Sequence, residues 1–170
     1  MNIPHAVRVI AVVGIASCRS VRPAPQPSAP PTVADTAAGA AKVAAIRGTN
    51  AKLVDEQLKR IAGRDTEPAS QIFKNVRFLA RTRARTLLVI MSVGYADALG
   101  VTCEHCHNVQ NFASDEKRPK RAAREMQVMH SSVVTQLRAM TELASQPADQ
   151  RAINCSTCHR GRINPDKPNP

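Results

Sequence analysis

The chain has no tryptophan, one tyrosine and three phenylalanines in 170 residues. Aromatic side chains usually supply much of a core's buried area. A domain this poor in them is marginal unless something else fills its centre, such as a large apolar cofactor. Acidic residues are scarce too: 13 Asp and Glu stand against 24 Lys and Arg, for a formal net charge of +11. That balance points to nucleic acid, an anionic membrane surface or an acidic protein partner, or to no more than solvated helix faces. Nucleic acid is the weakest of these, because no zinc-finger, recognition-helix or aromatic stacking pattern is present. No run alternates with period two over a useful length, which argues against a sheet.

The N-terminus reads as an address. Arg8 precedes an apolar run over 9–16, far short of the roughly 20 residues of a bilayer span, and Ala16 and Ser17 precede Cys18. This layout predicts a signal peptide over 1–17. The tetrapeptide IASC resembles the bacterial lipoprotein box, although Ile15 stands where Leu is commoner. The resemblance implies lipidation of Cys18, and a spare exposed thiol would be a liability in an oxidising compartment. Residues 18–48 are rich in Pro and Ala, without an apolar period, and predict a disordered, lipid-anchored linker. The remainder, 49–170, is the expected folded domain.

Its pattern is helical. Leu53, Val54, Leu58 and Ile61 share a face, and Gly63 can end that helix. Pro68 opens a second expected helix with a stripe of Ile72, Val76 and Leu79. Leu88, Met91, Tyr95 and Ala98 mark a third, with Gly100 in the position of a C′ glycine. A polar loop follows, and then the longest periodic run, over 120–145, with Ala122, Met126, Met129, Val133, Leu137 and Met140 in line. The fold class expected is all-α: a small helical domain behind a disordered N-terminal tether.

Two pentapeptides carry the chemistry, CEHCH at 103–107 and CSTCH at 155–159. Thiols at this spacing serve zinc, thiol–disulfide exchange or haem attachment, and the trailing histidine favours haem. Both thiols add to the porphyrin's vinyl groups, and the adjacent histidine is already placed as an axial iron ligand. Zinc is the competing reading, but roughly 50 residues separate the pairs, against 15–20 in typical four-thiolate sites. A redox dithiol needs a strand–helix alternation that is missing. Two covalently bound c-type haems are therefore expected. Cys103 and Cys106 would hold the first, with His107 on its iron, and Cys155 and Cys158 the second, with His159. Two flat apolar bodies in the core would account for the missing aromatics.

Methionine or a second histidine usually closes the opposite face of the iron. Eleven residues follow His159 and none is Met or His, so the second distal ligand lies upstream. Met126, Met129 and His130 are candidates, although a Met stripe is more often core filler. His130 faces about 100° away from Met129. His105 is expected to be exposed.

PASQIFKNVRFL, IMSVGYADALGVTCEHCH, NFASDEK, AAREMQVM and INCSTCHRG together resemble the cytochrome subunit of photosynthetic reaction centres and its shorter relatives, over roughly 66–162. The resemblance implies that a helix precedes each motif, lies along the haem plane and supplies a methionine: Met91 for the first haem, and Met129 as the best match for the second. Two features depart from the family. It has four motifs where this chain has two, and Met91 falls one residue from the usual spacing, where Ser92 stands.

These features predict an exported, periplasmic, lipid-anchored electron-transfer cytochrome with two haems, not an enzyme. Its expected partners are acidic redox proteins, among them a membrane-bound respiratory or photosynthetic complex, and not nucleic acid. The competing class is a dihaem peroxidase-like enzyme with one open haem. A third is a helical gas sensor or carrier, which fits the 155–159 motif but not 103–107.

Overall fold

A computed structural model describes residues 37–143, 146–147 and 152–169. They belong to one compact unit, Pro31–Pro170, while Met1–Pro30 separates as another and lies outside the described residues. The expected signal peptide, Cys18 and the first half of the expected linker fall there as well.

The described chain is all-α. Its elements are α1 (Ala37–Arg60), α2 (Ala69–Ile72), α3 (Ala84–Val89) running on into a π-helical segment (Ile90–Asp97), α4 (Cys103–Cys106), α5 (Arg118–Ala139), a 3₁₀ turn (Thr141–Leu143) and α6 (Cys155–His159). No strand forms among the described residues, and the only sheet-like pairs are the isolated bridges Pro68–Arg83 and Asn108–Asn111.

α1 begins inside the segment expected to be linker, because AAGAAKVAA over 37–45 is rich in the best helix former. Lys59 and Arg60 in its last turn suit the negative end of the helix dipole. Gly63, at φ +80°, then turns the chain away. Within α1 only Asn50 is buried, and it is fully enclosed.

The second expected helix is much shorter than its stripe suggests. α2 is a single turn, and Asn75 and Leu79 take left-handed backbone angles (φ +62° and +61°) that no helix accommodates. Asparagine tolerates that region, whereas for Leu79 it is strained. The chain instead folds back on itself. Ala69 N–H donates to Thr82 O (2.7 Å), Ser70 N–H to Ala80 O (3.0 Å) and Ala84 N–H to Glu67 O (2.8 Å). These bonds satisfy the backbone of the non-helical stretch.

The third expected helix is present, and Gly100 ends it at φ +65°. Its middle, however, is π-helical. The widened turn keeps residues four apart in line, and such segments recur at functional sites. Ala96 and Ala98 from this stretch join Ile61, Ala69, Ala84, Leu87 and Val101 in the core. These are small side chains, in keeping with the aromatic poverty.

α5 departs in part from the face that its apolar stripe predicts. Met126, Met129 and Met140 are 41%, 50% and 48% exposed. The shielded positions include Ala122, Val133 and Leu137 of the stripe, and also Lys120, Gln127 and His130. Three of these are polar groups that bind other segments, so partner bonds as well as hydropathy set the helix's rotation.

Asn50 holds α1 to the first motif. Its Nδ2 donates to Val101 O (3.1 Å) and its Oδ1 accepts from Cys103 N–H (2.9 Å). Leaving a buried backbone group unpaired costs about 1–3 kcal/mol. Asn50→Ala should therefore lower the unfolding free energy by about 2–4 kcal/mol, and Asn50→Asp, which sets a buried carboxylate against the Val101 carbonyl, by at least as much. Denaturant titration with an unchanged slope would measure both.

Candidate functional site

The first pentapeptide forms α4, one turn of helix, with His107 leaving it in extended backbone. A cavity of about 200 Å³, partly open to solvent, lies against it. Cys103, Cys106 and His107 form one part of its wall, and Met91 and Ser92 of the π-helical segment form another. Leu53 and Val54 come from α1, Leu87 and Leu88 from α3, and Ala123 from α5. Phe73, Val76 and Phe78 come from the stretch where the expected helix breaks, so the left-handed turns at Asn75 and Leu79 shape that wall. Every aromatic residue of the chain, the three Phe and Tyr95, lines this one space.

His107 is built for a ligand. Its ring lies 5.3 Å from that of Phe112, tilted by 48°, and its Nδ1 is buried without a hydrogen-bond partner. Burial lowers its basicity, and the Lys120, Arg124 and Lys117 cations lower it further. The Phe112 backbone is a weaker opposing influence. The imidazole is thus kept neutral, the form that binds metals. The rim is cationic, with Lys74, Arg77, Lys120 and Arg124 on the cavity wall. An apolar, aromatic chamber with two thiols, a neutral imidazole, a thioether and a basic rim fits a haem with its two carboxylates.

The second pentapeptide forms α6. A reciprocal cap starts it: Asn154 Oδ1 accepts from Thr157 N–H and Thr157 Oγ1 accepts from Asn154 N–H, each at 3.1 Å. Arg160 and Gly161, both left-handed, end it. His159 Nδ1 donates to Arg162 O at 2.9 Å, which leaves Nε2 as the lone-pair nitrogen. That fixed tautomer suits a metal ligand. The second motif lies outside the cavity wall of the first.

The two motifs are joined through backbone. Gly161 N–H donates to Ala98 O at 2.9 Å. Asn169 Nδ2 reaches Leu99 O (2.8 Å), Gly100 O (3.2 Å) and Gly161 O (3.2 Å). A Cβ on Gly100 would strike the Gly161 carbonyl, so only glycine permits this approach. The C-terminal residues therefore clasp the end of the helix that leads into the first motif.

The competing chemistries find no support in this geometry. Among the described residues no three of His, Cys, Asp and Glu gather as a metal-holding group, so the cysteine pairs do not assemble a zinc site. Burial pushes the Cys103, Cys106 and Cys155 thiols up, opposite to a reactive redox dithiol. His105 is half-buried, more enclosed than expected, and lies outside the cavity wall. His130 Nε2 donates to Ile153 O at 2.9 Å, an anchor between α5 and the approach to the second motif. Met126 and Met129 remain on the exposed face of α5.

One element of the site had no periodic signal. Asp115, in the loop between α4 and α5, accepts from Arg124 (2.7 Å), Asn75 (2.8 Å), Lys120 (3.1 Å) and Arg77 (3.2 Å). Lys120 Nζ also binds Phe112 O and Ser114 O. This hub joins the turn at Asn75, the loop and α5 beside His107. The only legible sign of it was the NFASDEK string.

A single-turn CxxCH pentapeptide against an apolar, aromatic-lined cavity, in an all-α domain, has the features of a c-type cytochrome. A family model described as photosynthetic reaction centre cytochrome C subunit matches residues 30–168, and the chain belongs to that family. Membership implies covalently bound c-type haem. Cytochrome c-554 of Chloroflexus aurantiacus is 34% identical over 91 residues, covering 53% of this chain and 21% of that protein. The photosynthetic reaction center cytochrome c subunit of Rubrivivax gelatinosus is 35% identical over 80 residues, covering 42% of this chain and 22% of its own length. The chain thus spans about a fifth of these relatives. No solved structure matches it.

Asp115 gives a pH prediction. The Arg124 guanidinium, with Lys120 and Asn75, holds its carboxyl well below the usual carboxylate range. The folded-state value is depressed, so the contribution to stability is full above the unfolded value near 3.9 and is lost as pH falls below it. Asp115→Asn should lower the melting temperature at pH 7, and the gap from wild type should shrink as pH drops from about 4 towards 2. Thermal melts of the two proteins across that range would measure it.

Proposed function

We propose that this protein is an exported dihaem c-type cytochrome that relays single electrons between protein partners, and not an enzyme. The observation that carries the reading is the meeting of Cys103, Cys106, His107, Met91 and all the aromatic residues around one cavity. Cys103 and Cys106 would tether the first haem, with His107 and Met91 as iron ligands. Cys155, Cys158 and His159 would hold the second, with Met129 as the further ligand. Met129 is half exposed and so is not core filler, and His130 is already committed to Ile153 O. Bound c-type haem supplies one-electron chemistry at iron, with little ligand change when both axial positions are filled. The chain's part would be to keep the thiols tethered, the His107 imidazole neutral and the His159 ring oriented, with Phe73, Phe78 and Phe112 walling the first cavity.

Two arms test the reading. Intact mass of the mature protein should exceed the polypeptide by two haems; a protein holding zinc and no haem would end it. Wild type should bind no carbon monoxide and should show the near-infrared methionine band. Met91→Ala should open one haem per chain to carbon monoxide and remove part of that band. Carbon monoxide binding by the wild type would favour the peroxidase-like alternative.

The partner proposed is an acidic redox protein, with a membrane-bound photosynthetic complex suggested by the family. The basic stretches around the first motif narrow on inspection. Arg77, Lys120 and Arg124 bind Asp115, Arg85 binds Asp65, Arg121 binds the Asp115 and Glu116 carbonyls, and Lys117 binds Glu104 O. Arg81, Arg83 and Arg118 have no such bonds and face solvent or nearly so. Arg83→Glu with Arg118→Glu should slow reaction with an acidic partner several-fold at low salt, and much less at physiological salt, where screening sets in over about 8 Å. Unchanged optical spectra would separate this from a folding defect, and a rate indifferent to salt and charge would remove the steering role.

Attachment to the membrane is proposed through lipidated Cys18, with 1–17 removed on export. No helix among the described residues is long and apolar enough to cross a membrane. Cys18→Ala should move the protein from the membrane to the soluble periplasmic fraction, as immunoblotting of fractions would show.

A further inference from the structure

Tyr95 is the chain's only tyrosine. It lines the first cavity together with Met91 and His107. Yet its hydroxyl points elsewhere, donating to Gln127 Oε1 of α5 at 2.5 Å. The second motif is close as well: α6 packs on the π-helical segment that carries Tyr95, and the Cys155 sulfur acts on the phenol. Three residues beyond Gln127 on the same helix, His130 grips Ile153 O, just before that motif. Burial pushes the phenol up to about 12, so it remains a neutral donor at working pH.

We propose that Tyr95 is a positioning residue shared by the two haem sites: its ring walls the first, and its hydroxyl, through Gln127, fixes the helix that frames the second. Both ends of this strut are half-buried side chains on different helices. A half-buried amide and phenol left unpaired would let α5 slide relative to the π-helical segment. The fixed tautomer at His159 and the anchor at His130 would then no longer share one frame with Met91. The strut sets the geometry of the second site relative to the first, and thereby the environment of the second iron. This rests on the dihaem reading.

Tyr95→Phe keeps the ring and removes only the hydroxyl; Gln127→Leu removes the acceptor. The readout is redox titration of the holoprotein followed by NMR of the haem methyl resonances, which reports each haem separately. Both variants should retain two haems and displace the second haem's midpoint potential. The double variant should shift it no further than the larger single change, since the two groups act as one unit. A second-haem potential unmoved in Tyr95→Phe would overturn the proposal, as would additive shifts in the double variant. Fewer than two haems in the wild type would instead overturn the dihaem reading beneath it.

Discussion

The buried amide of Asn50 is the interaction on which the rest of the molecule depends. Among the described residues it is the one large side chain with no exposed surface. It pairs with the carbonyl of Val101 and the amide of Cys103, on either side of Thr102. A backbone entering a cysteine motif must satisfy its polar groups wherever water is excluded. By doing so from the middle of α1, Asn50 fixes the start of α4 against a helix far away in sequence. The cavity then follows. Leu53 and Val54 of α1, Met91 of the π-helical segment and His107 beyond α4 face one another because that joint holds.

The core is unusual in consequence. Its buried residues are mostly alanine, with single Ile, Leu and Val side chains. Such residues contribute little apolar area each. The larger side chains, including every aromatic, are gathered around the cavity instead. A chain organised in this way leaves much of its apolar burial to a bound flat group. The Asp115 hub complements this arrangement, since it gathers four polar and cationic side chains beside the same space and neutralises part of their charge. Around the first motif, much of the positive charge is therefore structural, and Arg81, Arg83 and Arg118 remain exposed there.

Much of the site was legible from spacing. Each CxxCH pentapeptide is local chemistry: two thiols and an imidazole on one helical turn need no distant residue to be recognised. Met91, expected from the family resemblance, lies on the wall of the first cavity. Other features were misread for a shared reason. The helix expected after Pro68 collapses to one turn because Asn75 and Leu79 adopt left-handed angles stabilised by long-range backbone bonds. On α5 the stripe's Ala122, Val133 and Leu137 are shielded, but Met126 and Met129 are exposed, while Gln127 and His130 are held by Tyr95 and Ile153. Periodicity weighs hydropathy and has no means of weighing a polar partner that lies in another segment.

Sequence by itself determined the all-α class, the position of the two CxxCH pentapeptides, the terminating role of Gly63 and Gly100, and the family. These follow from local rules: helical spacing, thiol spacing, and the freedom of glycine at positive φ. Tertiary structure alone decided where α1 begins to matter, through Asn50, and how α5 is rotated. It alone showed that Asp115 is a hub, and that the end of the chain clasps Gly100 through Gly161 and Asn169. Each of these depends on a hydrogen bond between residues far apart in sequence. Such a bond is chosen by the whole packed arrangement, because a buried polar group takes whichever partner the fold brings within reach.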